Sequence, residues 1–100
     1  MSESQYKYSI HMQSSFRKAL KKIAHDQKKK SLLSETVKLL GNGETLPESY
    51  HDHALTGNFV NHRECHILPD FLLIYRYFNE ILVLELCHIG CGLISNSEVK

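Results

Sequence analysis

The sequence predicts an α+β fold: an N-terminal strand, a two-helix hairpin, then a three- to four-stranded antiparallel sheet. Three observations carry that expectation. Apolar residues alternate from Tyr6 to Met12, recur at helical spacing from Phe16 to Leu40, and alternate or run unbroken again from Phe59 to His88. With 100 residues, 42% of them hydrophobic and 23% charged, the chain reads as a single soluble domain spanning 1–100, with a core large enough to fold alone.

In the first strand Tyr6, Tyr8, Ile10 and Met12 share one face, and Lys7, Ser9 and His11 the other. Ser14 or Ser15 can cap the helix that follows, whose apolar side is Phe16, Ala19, Leu20 and Ile23. His25-Asp26-Gln27 and the Lys28–Lys30 run break the pattern, so the first helix is expected to end there. The second should span about Leu32–Leu40, stopped by Gly41-Asn42-Gly43. Gly43 to Gly57 reads as a long loop around Pro47, a kind of connection that often carries function in small domains. Next come a strand over Phe59–Leu68, a Pro69-Asp70 turn, and an apolar strand over Phe71–Tyr77. An Asn79-Glu80 turn leads into a last strand over Ile81–His88. Gly90-Cys91-Gly92 breaks that strand, Leu93-Ile94 can add a short piece, and residues 1–5 and 96–100 are expected to be flexible.

Net charge is +1, yet seven of the twelve Lys and Arg lie between Arg17 and Lys30, with Asp26 the only acid among them. Such a stripe suits a polyanion or an acidic protein, and equally a solvated helix face. The three cysteines, Cys65, Cys87 and Cys91, sit in or beside apolar segments. No apolar run approaches the ~18 residues of a membrane span, and the polar start is no signal peptide. The chain therefore reads as cytoplasmic, with reduced thiols and no membrane partner.

Four of the seven histidines (His51, His53, His62, His66) precede the apolar run that ends at Tyr75. Imidazoles exchange protons near neutral pH, and a rigid sheet behind them is what acid/base chemistry needs. A zinc reading of Cys65-His66, Cys87-His88 and Cys91 is disfavoured, because adjacent residues on a strand point to opposite faces. No metal site is expected.

DHALTG (Asp52–Gly57), RECHILPDFLLIY (Arg63–Tyr75) and the basic helical hairpin before them resemble the YafQ branch of the RelE/ParE toxin family. The likeness runs from the first strand to about Leu93. It implies a RelE-like ribonuclease fold and a type II toxin that cleaves messenger RNA in the ribosomal A site without a metal ion or other cofactor. The ribose 2′-hydroxyl would attack the adjacent phosphate, leaving a 2′,3′-cyclic phosphate. By position, His53, His66 and Asp70 match the family's functional residues, and Phe71 stands where an aromatic can stack on a base. The implied partners are a cognate antitoxin, messenger RNA and ribosomal RNA, with operator DNA reached only through the antitoxin. Lys18, Lys21, Lys22, Arg63 and Arg76 are the candidate phosphate contacts.

The chain departs from that family after residue 85. Leu86 takes the place of the usual arginine, Gly90 that of the terminal histidine, and Ile94 that of an aromatic. His88 lies two residues early, which moves its imidazole about 6–7 Å along a strand, too far for the same proton transfer without a bulge. Three outcomes stay open: a weakened nuclease, one in which His88 with Arg76 or Arg63 substitutes, or a binding module that keeps the antitoxin and operator repression. His51 and His62 read as solvated, and Tyr75 as core.

Overall fold

The structure is a computed structural model that describes residues 6–90, so the expectations for 1–5, Cys91, Leu93-Ile94 and 96–100 lie outside the described residues. Chain order is β1 (Ser9–Met12), α1 (Ser14–Lys22), α2 (Gln27–Gly41), β2 (His53–Ala54), β3 (Arg63–Leu68), β4 (Phe71–Phe78) and β5 (Val83–Gly90). The strands form one sheet in the order β1-β5-β4-β3-β2. The expected α+β class holds. The sheet has five strands because β2 pairs with β3 at one edge and β1 joins the other, parallel to β5, pairing Ser9 with Val83 and Met12 with Leu86.

Element ends moved for identifiable reasons. Tyr8 N–H donates to the Gly41 carbonyl at 2.8 Å, which draws the start of the first strand to the end of α2 and leaves β1 shorter. Gln13 occupies the N-cap of α1 and makes no side-chain cap bond; the Ser15 hydroxyl is committed to the Cys87 carbonyl instead. Asp26 caps α2 by accepting from Lys29 N–H at 3.0 Å, so the Lys28–Lys30 run is its first turn, not a linker. The expected loop holds a 3₁₀ turn, Glu48–Tyr50, and the short strand β2. A second 3₁₀ turn, Gly57–Phe59, and a left-handed Asn61 delay β3 to Arg63, and a left-handed Leu82 delays β5 to Val83.

α1 and α2 cover one face of the sheet. Phe16, Leu33, Leu40, Cys65, Phe71, Leu73, Tyr75, Leu84, Leu86 and Ile89 are the buried centre of that layer. The Tyr77 hydroxyl donates to the Leu40 carbonyl at 2.6 Å and ties the end of α2 to β4. Leu55, Ile74 and Cys87 form a smaller buried cluster with Phe59 against it. A bulge lies in β5: Tyr75 pairs with Leu86 and Ile74 with His88, leaving Cys87 between.

Candidate functional site

β2 pairs antiparallel with β3, placing His53 opposite Glu64. Cys65 enters the helix-side core, so its neighbours Glu64 and His66 project the other way. Asp52 sets the facing of β2. Its carboxylate accepts from Arg63 Nε at 3.1 Å and Nη2 at 2.9 Å, and from the Tyr75 hydroxyl. With Asp52 fastened to that side, His53 turns toward Glu64.

There His53 Nε2 lies 3.2 Å from Glu64 Oε1, and His53 Nδ1 lies 2.7 Å from the His51 carbonyl. Both ring nitrogens face oxygen atoms, so the ring is held at both ends. The His53 and His66 rings are 6.1 Å apart, and the His51 ring meets His66 edge-on at 5.7 Å. Glu64 is 4% exposed, and its Oε2 has no partner among the described residues. Leaving a buried carboxylate oxygen unpaired is costly, so this atom calls for a donor from outside. Donor atoms of His53, Glu64 and His66 lie within 4.8 Å of one another, close enough also to hold one metal ion.

The remaining candidates lie elsewhere. Asp70, Phe71 and His88 line a groove of about 310 Å³ with Lys22 and Lys29, where β5 passes α1. Leu72 joins the two places, since it pairs with His66 on one side and Gly90 on the other. Two strand spacings, about 10 Å of backbone, therefore separate them. Cross-strand partners share a face, so a Cβ on Gly90 would project onto the face of His66. It would also meet His88 Nε2 at 3.2 Å: the displaced histidine occupies the space that a side chain at residue 90 would need. Gly90 has φ +156°, which L side chains rarely adopt. Burial, then the nearby Lys22 charge, holds His88 below the usual histidine range, and its Nε2 is buried with no partner among the described residues.

Several expectations need correction. Phe71 is 2% exposed with Lys29 Nζ 5.2 Å above its ring, so it packs the core and offers no open face to a base. Arg63 is bound to Asp52, and Asp52 with Tyr75 holds its guanidinium charge in place. Arg76 donates to Glu85 at 2.7 Å and lies 4.5 Å over Phe78. Each guanidinium is thus already paired with a carboxylate. Lys18, Lys21 and Lys22 are exposed along α1. Burial pushes the Cys65 thiol up to about 12 and the Cys87 thiol up to about 11. Glu64 was missed in the sequence. Its only signal was the shared alternation with His66, and its burial was decided by β2.

The sequence model described as "Bacterial toxin of type II toxin-antitoxin system, YafQ" matches residues 8–92. The chain belongs to the YafQ toxin family. Among curated YafQ proteins, the mRNA interferase toxin YafQ of Escherichia coli K12 is 38% identical over 47 residues, 47% of this chain and 51% of that one. The chain spans about half the length, or less, of the curated relatives it matches. Solved structures extend the likeness. A metal-bound toxin from Helicobacter pylori superposes with TM-score 0.77 at 32% identity, covering 85% of this chain and 94% of that one. YafQ in the E. coli DinJ–YafQ toxin–antitoxin complex superposes with TM-score 0.77 at 27% identity, covering 88% and 96%. Among the described residues, no helix is long and apolar enough to cross a membrane.

Proposed function

We propose that this YafQ-family chain is a toxin that cleaves messenger RNA on the ribosome without a metal ion, and that a cognate antitoxin neutralises it. The observation that carries this reading is the His53–Glu64–His66 cluster, a buried carboxylate with an unpartnered oxygen beside two imidazoles. In the reaction the ribose 2′-oxygen bonds to the adjacent phosphorus and the bond from phosphorus to the 5′-oxygen breaks. One group takes the 2′ proton and another protonates the departing 5′-oxygen, leaving a 2′,3′-cyclic phosphate and a free 5′-hydroxyl. His66 and His53 are assigned to proton transfer, with Glu64 balancing the charge of an imidazolium. Across Leu72, His88 and Asp70 form the second wall, and Lys22 and Lys29 supply cations for the phosphate. The mRNA interferase name of the E. coli relative and the DinJ–YafQ complex support the substrate and the partner.

Expression without antitoxin should arrest growth, and primer extension on a reporter message should reveal cleavage that His66→Ala lowers by about 10²–10⁴-fold. Arrest that survives changes at His53, Glu64 and His66 together sinks the assignment. Leu86 favours a second reading. It stands where the family usually has an arginine, yet it is 1% exposed and belongs to the core. A catalytically weak module that binds antitoxin and takes part in operator repression would be harmless when expressed alone and would still form that complex. A divalent ion held by His53, Glu64 and His66 would occupy all three donors and block proton transfer.

A further inference from the structure

Beside the histidine cluster, a cleft of about 580 Å³ opens between the 3₁₀ turn that ends at Tyr50 and the far end of β3. His51 and His66 form its polar wall, Tyr50 flanks it, and Leu68 and Pro69 give an apolar floor. Among the described residues, no Asp, Glu, Lys or Arg lines it. A phosphate would find no fixed charge there, whereas the Lys22 and Lys29 groove across Leu72 offers two. An uncharged, flat, partly polar group fits such a cleft, because aromatic edges and aliphatic carbons can sandwich it.

We propose that this cleft seats the nucleobase next to the scissile phosphate, with the His51 ring as its stacking wall. The inference rests on the nuclease reading above and names the part of the substrate that reading leaves without a seat. RNA would then cross the site with its base beside His51, its ribose at Glu64 and His66, and its phosphate heading for Lys22 and Lys29.

His51 has two separable roles. Its backbone is left-handed at φ +50°, an unusual conformation for a residue other than glycine. Its N–H donates to the Glu48 carbonyl at 2.9 Å. Held that way, its carbonyl meets His53 Nδ1 at 2.7 Å while its exposed ring lies edge-on to His66. Strain of this kind persists where surrounding structure holds it, and it clusters at functional sites.

The two roles allow a clean test. His51→Gly keeps the left-handed backbone and the carbonyl that positions His53 but removes the ring. With the full chain, programmed ribosomes and messages differing only at the base beside the cut, this variant should raise KM about 10-fold or more. It should lower kcat far less and flatten the preference among the four bases. His51→Tyr, which restores a ring, should recover much of the KM. A fall in kcat alone, with KM and base preference intact, overturns the proposal and leaves His51 a positioning residue. If the wild-type chain cuts no message, the nuclease reading fails. The cleft is then judged by NMR with a single-stranded RNA oligomer carrying a 2′-deoxy nucleotide. Shifted ring protons of Tyr50 and His51 sustain a nucleobase site, and unshifted ones exclude it.

Discussion

At the β2–β3 edge, His53 is gripped between the His51 carbonyl and the Glu64 carboxylate, and β2 itself is fastened by Asp52 to Arg63 and Tyr75. Across Leu72, His88 has no such grip among the described residues. Its ring lies where a side chain at residue 90 would begin, and the cations beside it stand on α1 and α2 rather than on its own strand. The first region is built by partners and resists small changes. The second is built by an absence, the missing Cβ of Gly90, and depends on helices and sheet keeping their distance. The same protein thus holds one histidine by hydrogen bonding and another by exclusion.

The largest effect expected from this contrast is at Glu64. Glu64→Gln keeps the volume and removes the charge opposite His53, so cleavage should fall by about 10²-fold or more in a single-turnover assay, with the melting temperature changed little. A rate equal to wild type would reduce Glu64 to a structural anchor.

A smaller loss is expected at the second region. Gly90→Ala places a Cβ 3.2 Å from the former position of His88 Nε2 and strains the backbone at φ +156°. The ring must shift by tenths of an ångström, and cleavage should drop about tenfold, below the ~10²-fold that a 1 Å misplacement can cost. If Gly90→Ala cleaves normally while His88→Ala does not, the ring works from another rotamer, and the vacancy at residue 90 is incidental.

The mildest expectation is a slope in stability with pH. His88 holds its proton less well in the folded chain than its ordinary value of 6.5, through burial first and Lys22 second. The unfolded chain therefore binds more protons just below that pH, so this contribution is complete above about 6.5 and is lost as pH falls further. Urea unfolding from pH 7.5 down to 5.5 should show a shallower decline for His88→Gln than for wild type. Equal slopes would mean that the ring titrates as it does in the unfolded chain.

Much of the architecture was legible from periodicity. Tyr8, Phe16, Leu33, Leu40, Leu73 and Leu84 are core residues because alternation and helical spacing place them on inward faces, a local property of the chain. The Lys28–Lys30 run misled because charge was read as a helix end, whereas the cap at Asp26 is itself a local signal that starts the helix earlier. His53, His66 and Asp70 could be singled out by resemblance, but their grouping could not. β2 is too short to show a period, and its pairing with β3 is what brings His53 to Glu64 and leaves Asp70 with His88.

By itself the sequence determined the order of elements, the apolar faces and the histidine-rich stretch that enters the sheet, because each depends on neighbours a few residues apart. Tertiary structure alone decided that β1 closes the sheet beside β5, that Phe71 and Leu86 are core, and that Glu64 is a buried, half-satisfied carboxylate. It also decided that His88 takes the room left by Gly90. Those outcomes rest on pairing between distant strands and on which atoms lose contact with water, and no local period encodes either.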